Sequence, residues 1–176
     1  VVMNTPFGNS ITTAEHAISL MLSLARQIPE ADASTRAGKW EKNRFMGVEI
    51  TAKTLGIIGY GHIGSQLGIL AESLGMHVLY HDIEHKLPLG NASSRARLGE
   101  LLREAQIISL HVPETAQTTG MVNADFLRAM RPGSFLINAS RGPAVDIYAL
   151  ADSLQSGHLA GAALDVFSAE PPKDFS

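Results

Sequence analysis

The strongest constraint on this chain is the stretch Leu55-Gly56-Ile57-Ile58-Gly59-Tyr60-Gly61-His62-Ile63-Gly64, followed one helix length later by His77-Val78-Leu79-Tyr80-His81-Asp82. An apolar run ending in glycines at this spacing reads as a buried parallel strand that turns sharply into a helix. Gly59, Gly61 and Gly64 then let the backbone approach a pyrophosphate, and the helix N-terminus faces its charge. Asp82 lies 18 residues beyond Gly64, at the end of the next strand. A carboxylate there accepts hydrogen bonds from ribose hydroxyls and repels the extra phosphate of NADP. The expectation is a βαβ unit that binds NAD. A glycine-rich turn alone can be purely structural; the strand before it, the helix after it and the acid beyond tilt this one toward a ligand.

The remaining pattern alternates in the same way. Thr12 and Glu15 have the spacing of a capping box, and Ala14, Ala17, Ile18, Met21, Leu22, Ala25 and Ile28 recur at helical intervals, which predicts a helix over 12–28. Pro29 breaks or restarts it, and a more polar helix runs through Arg36 to end near Gly38. Trp40 then sits in a polar segment, either folded under its own loop or standing as an interface anchor. Strands are predicted at 54–58, 77–81, 107–111, 134–138 and 159–166, with helices at 62–74, 98–104, 123–130 and 146–155 between them. This order predicts a doubly wound α/β domain of Rossmann type, with a parallel sheet, spanning 1–176.

Composition narrows the function classes. Seventeen acids against fourteen bases leave a net charge of −3, so no overall positive field attracts nucleic acid or an anionic membrane. The absence of cysteine removes disulfides and thiolate metal sites and fits a cytoplasmic setting. Seven histidines are scattered, and the one cluster, His77, His81 and His85, brackets Asp82; it reads as part of a ribose pocket or surface, and no metal is expected. The apolar segment 18–25 is far too short to span a membrane. The abrupt start at Val1 and the stop just after Pro172 read as a piece of something longer.

In a doubly wound sheet, ligands bind beyond the carboxyl ends of the strands. Arg141, after the strand ending at Asn138, carries a guanidinium fork suited to a carboxylate, although a surface arginine or a helix cap is the plainer alternative. Glu170 follows the last strand and is placed to orient an imidazole, or is only a solvated loop acid. Asp165 faces the far end of a dinucleotide and holds an amide, or serves a turn. His111, before Val112-Pro113, reads as a wall of the cleft.

Taken together, the glycine turn with Asp82, Ser109-Leu110-His111-Val112-Pro113, Asn138-Ala139-Ser140-Arg141-Gly142 and Leu164-Asp165-Val166-Phe167 with Glu170-Pro171 resemble the D-2-hydroxyacid dehydrogenases. A narrower likeness within that family rests on residues 59–64, on Asn4-Thr5-Pro6-Phe7-Gly8-Asn9 and on Lys86-Leu87-Pro88-Leu89-Gly90-Asn91. The resemblance implies hydride transfer between a 2-hydroxy acid and NAD. It makes Arg141 the residue that grips the substrate carboxylate and polarises the carbonyl, and Glu170 the acid that orients a catalytic histidine. Cofactor contacts are implied at Gly59, Tyr60, Gly61, His62, Ile63 and Gly64 along the pyrophosphate turn, and at Asp82 on the ribose. They continue at His111, Val112 and Pro113 near the adenosine, and at Ala139, Ser140, Arg141 and Asp165 near the nicotinamide. The family's histidine lies downstream of its glutamate, and no histidine follows Glu170 here. The substrate domain is therefore expected outside this chain, which alone would bind cofactor without turnover. The helix at 12–28 and the Trp40 segment resemble a hinge and a dimer arm, implying a homodimer and further assembly of the parent. A glyoxylate or hydroxypyruvate reductase, or a non-enzymatic NAD-sensing module, are the alternative readings.

Overall fold

The computed structural model describes residues 8–171. Asn4 to Phe7 of the early motif, and Pro172, lie outside them.

Six parallel strands form one sheet in the order β3-β2-β1-β4-β5-β6. They are β1 (Thr54–Ile58), β2 (His77–His81), β3 (Ser93–Ser94), β4 (Ile107–Leu110), β5 (Ser134–Asn138) and β6 (Leu159–Leu164). The order reverses between β1 and β4, as in the doubly wound dinucleotide-binding fold, and the reversal opens a crevice at the carboxyl ends of those strands. Parallel strands covered on both faces read as continuous apolar runs, which is why β1 and β4 stood out in the sequence.

Two cores flank the sheet. One joins Ala14, Ala17, Met21 and Ala25 of α1 (Ser10–Arg26) to Leu67 and Ala71 of α3 (His62–Ser73) and to Leu55 and Ile57 of β1. The other joins α4 (Leu98–Glu104), α5 (Ala124–Ala129) and α6 (Ile147–Gln155) to Ile58, Ile108, Leu110 and Leu136. Along β1 the alternation of side chains between these cores is the strand's own period of two.

Several boundaries differ from the sequence expectation. The first helix starts at Ser10 behind Asn9, without a side-chain cap bond, so the Thr12/Glu15 capping box is not what begins it. It stops at Arg26 because Gln27 turns left-handed (φ 54°) and Pro29 falls in the first turn of α2 (Ile28–Arg36). The short β3 was not anticipated; two exposed serines carry no apolar signal. Strands β4 and β6 end at Leu110 and Leu164, earlier than expected, although the His111 and Asp165 amides still donate to Ile58 and Asn138 carbonyls (2.8 and 3.0 Å). In the segment after α2, Val48 N–H donates to the Ala25 carbonyl at 2.7 Å and Ile50 is buried, but Trp40 is 85% exposed and Met46 77%. Trp40 is therefore not folded under its own loop.

Candidate cofactor-binding site

The glycine turn at the end of β1 is shaped by two close approaches. Gly59 has φ +90°, and a Cβ there would lie 2.4 Å from the His111 carbonyl oxygen. At Gly64 a Cβ would lie 2.2 Å from the Gly59 carbonyl oxygen, so only glycine lets the first turn of α3 press against the loop. Gly61 is different: a Cβ there meets nothing within 4 Å, and the space above it is open. With no side-chain cap on α3, the amides of its first turn face this opening with the helix's positive end behind them. These features fit a bound pyrophosphate.

Asp82 binds the turn to the neighbouring strand. One carboxylate oxygen accepts from Tyr60 N–H at 2.7 Å and the other from Glu84 N–H at 2.9 Å. Each oxygen keeps a second acceptor position, which suits it to vicinal ribose hydroxyls. Asp82 thus also holds the loop in shape, a role its position in the sequence did not reveal.

Beside the turn lies a cavity of about 410 Å³ whose walls include Gly59, Gly61, Asp82, His111, Val112 and Pro113. Ile83, Leu98 and Met121 supply apolar surface to it, and Thr115, Gln117 and Thr118 a polar side. None of these six was singled out from sequence; the available signal was that 113–121 follows a strand's carboxyl end. Lys86 and Glu84 also line the cavity and pair with each other, and the hydrogen bond that Lys86 donates to Glu84 holds the Lys86 pKa above its ordinary value. Lys86 is thereby engaged by an acid beside Asp82, and a 2′-phosphate would meet two carboxylates there.

His111 is partly buried, and desolvation pushes its pKa down to about 4. Its Nε2 lies 2.9 Å from the Ser109 hydroxyl. A neutral imidazole packed in this way forms part of the cavity wall. Tyr60 contributes differently: its side chain is buried and stacks on Tyr80 with ring centroids 3.9 Å apart, leaving only its backbone in the turn. His62 and Ile63 open α3, with Ile63 packed on the core.

The other predicted residues gather over β5 and β6. Ala139 and Ser140 are buried; the Asn138 side-chain oxygen accepts from both the amide (3.0 Å) and the hydroxyl (2.8 Å) of Ser140, while its Nδ2 donates to the Arg141 carbonyl at 2.9 Å. This clamp presents Arg141 outward, with one guanidinium nitrogen donating to the Ser140 carbonyl and no ion pair among the described residues. The fork is available to a carboxylate. Gly142 brings this loop against the one after β6, where its Cβ would lie 2.0 Å from the Phe167 carbonyl carbon. In that second loop Glu170 accepts from Phe167 N–H at 3.1 Å, and Asp165 contacts His16 of α1 at 3.0 Å. Arg141, Asp165 and Glu170 are exposed and form no part of the cavity wall.

Comparison with known proteins agrees with this geometry. The sequence model for "D-isomer specific 2-hydroxyacid dehydrogenase, NAD binding domain" matches residues 18–176. The chain is 55% identical over 170 residues to D-3-phosphoglycerate dehydrogenase of Escherichia coli, covering 97% of this chain and 42% of the relative. It is 47% identical over 173 residues to D-3-phosphoglycerate dehydrogenase 1 of Saccharomyces cerevisiae, covering 98% of this chain and 37% of that one. Among solved structures, D-lactate dehydrogenase of Aquifex aeolicus complexed with NAD and lactic acid superposes with a TM-score of 0.87 at 32% identity, over 94% of this chain and 50% of that one. A glyoxylate reductase from Paecilomyes thermophila gives 0.89 at 34%, over 96% and 52%. The chain spans about two fifths of the length of the curated relatives named here. It belongs to the D-isomer-specific 2-hydroxyacid dehydrogenase family, as the NAD-binding domain.

Proposed function

We propose that this chain is the NAD-binding half of a D-3-phosphoglycerate dehydrogenase, which oxidises 3-phospho-D-glycerate to 3-phosphooxypyruvate on the way to L-serine. The observation that carries the reading is the carboxyl edge of the sheet. A glycine cradle and Asp82 stand at one end of it, and Arg141 and Glu170 stand on abutting loops at the other. The identity to relatives bearing that name favours phosphoglycerate over other 2-hydroxy acids.

On this reading Gly59 to Gly64 hold the pyrophosphate and Asp82 the ribose, while Asp165 takes the nicotinamide amide. The bound nicotinamide would accept hydride from C2 of the substrate. Arg141 holds the substrate carboxylate and stabilises negative charge growing on the C2 oxygen. The hydroxyl proton must go to a base, and we assign that base to a histidine in sequence outside these 176 residues, oriented by the free oxygen of Glu170. The substrate domain is placed outside them as well.

The parent is proposed to be a cytoplasmic homodimer able to assemble further. Exposed Trp40 and Met46 support the dimer, as large apolar side chains left in solvent on an arm. No helix among the described residues is long and apolar enough to cross a membrane.

The test is a steady-state assay of the parent enzyme with 3-phospho-D-glycerate, and with glyoxylate and hydroxypyruvate in the reductive direction, each with NAD(H) and NADP(H). The reading expects phosphoglycerate and NAD to give the highest kcat/KM. Faster turnover of glyoxylate would replace it with a reductase. No turnover of any of these, with large NADH-dependent assembly on size exclusion, would favour a sensing module.

A further inference from the structure

A polar pair joins α1 to the end of β6. His16 Nε2 lies 3.0 Å from Asp165 Oδ1, and both side chains are close to half exposed. The two residues are far apart in sequence and meet because α1 packs along α3 and reaches the ends of β5 and β6. The neighbours of His16 on the helix, Ala14 and Ala17, are buried in the core, so the backbone carrying the imidazole is fixed.

Among the described residues Asp165 is held in two ways. Its amide donates to the Asn138 carbonyl at 3.0 Å, which fixes the backbone, and His16 fixes one carboxylate oxygen. The other oxygen has no hydrogen bond among the described residues. We propose that His16 is a positioning residue: by anchoring one oxygen of Asp165 it presents the other to the carboxamide N–H of the nicotinamide. The inference rests on the NAD reading above and adds α1 to the nicotinamide end of the site. An exposed ion pair adds little to folding stability. Its effect here is to order the acid before the ligand arrives, so that less side-chain freedom is lost on binding.

Calorimetric titrations of this chain with NADH and with ADP-ribose, which lacks the nicotinamide, separate this role from a structural one. The His16→Ala variant is expected to weaken NADH about three- to ten-fold while leaving ADP-ribose within about two-fold, the size of effect that ordering one side chain carries. His16→Gln, which keeps an N–H donor on a side chain of similar reach, is expected to recover part of the loss. Equal weakening of both ligands by His16→Ala, or an unchanged ratio between them, would overturn the inference. So would wild-type chain that binds the two ligands equally, since no contact at the nicotinamide end would then exist to support; the NAD reading would survive that result. Wild-type chain that binds neither ligand would overturn both.

Discussion

Over β1, β2 and β4 the carboxyl edge of the sheet encloses a cavity whose polar groups are already fixed: the Tyr60 and Glu84 amides on Asp82, the Ser109 hydroxyl on His111, the glycine backbone pressed against α3. Over β5 and β6, Arg141, Asp165 and Glu170 stand exposed on loops, each with polar atoms unclaimed among the described residues. The first region is finished within this domain. The second stands open, and in the proposed function its donors and acceptors serve a substrate domain and a small acid. On the proposed function the first region is a preorganised adenosine half and the second a nicotinamide half that is desolvated only on closure.

That contrast can be broken most severely at Gly64. A Cβ 2.2 Å from a backbone oxygen cannot be relieved by turning a side chain. Gly64→Ala should therefore move α3 off the loop and cost at least about 3 kcal/mol, equivalent to more than a 100-fold loss of ADP-ribose affinity. Titration calorimetry with parallel urea unfolding would show how that cost divides between binding and folding.

The desolvated imidazole of His111 tests the finished half through pH. His111 is held neutral down to about pH 4, whereas an unfolded histidine protonates near 6.5. Below 6.5 the unfolded chain takes up a proton that the native chain refuses. Stability is thus fully present above that value and is lost as pH falls toward 4, by about 3 kcal/mol from this group. Urea unfolding at pH 7 and at pH 4.5 should show a smaller drop for His111→Asn than for wild type. An identical drop would mean that His111 is hydrated.

Removing Asp82 should act mainly on cofactor choice. Asp82→Ala deletes charge-assisted hydrogen bonds worth about 2 kcal/mol, roughly 30-fold in NADH affinity, and narrows the preference over NADPH. Fluorescence titration with both cofactors would check this, and a preserved preference would move the discrimination to Glu84. The smallest effect belongs to the open half: Arg141→Ala should leave ADP-ribose binding within about two-fold in this chain.

How much of this was legible in the sequence follows the same division. Strands β1, β2 and β5 were placed to the residue because buried parallel strands advertise themselves as apolar runs bounded by glycine and polar residues. The two-serine β3 had no such signal, and α1 starts at Ser10, buried behind an Asn9 that makes no side-chain cap, which the Thr12/Glu15 pattern does not reveal. Within the site, glycine spacing and the acid at 82 led directly to the turn. The cavity's apolar walls at Ile83, Leu98 and Met121 did not show, because ordinary hydrophobic residues on three separate segments carry no motif. His16 was invisible for a related reason: its partner lies at the other end of the chain, and only the fold brings them together.

The most direct test of the central claim is a calorimetric comparison of NADH, ADP-ribose and NADPH on this chain alone. A finished adenosine half with an acid at the ribose predicts one site per chain, NADH binding at micromolar affinity or weaker, ADP-ribose within about ten-fold of it, and NADPH at least about ten-fold weaker than NADH. NADPH binding as tightly as NADH, or ADP-ribose failing to bind while NADH does, would contradict it.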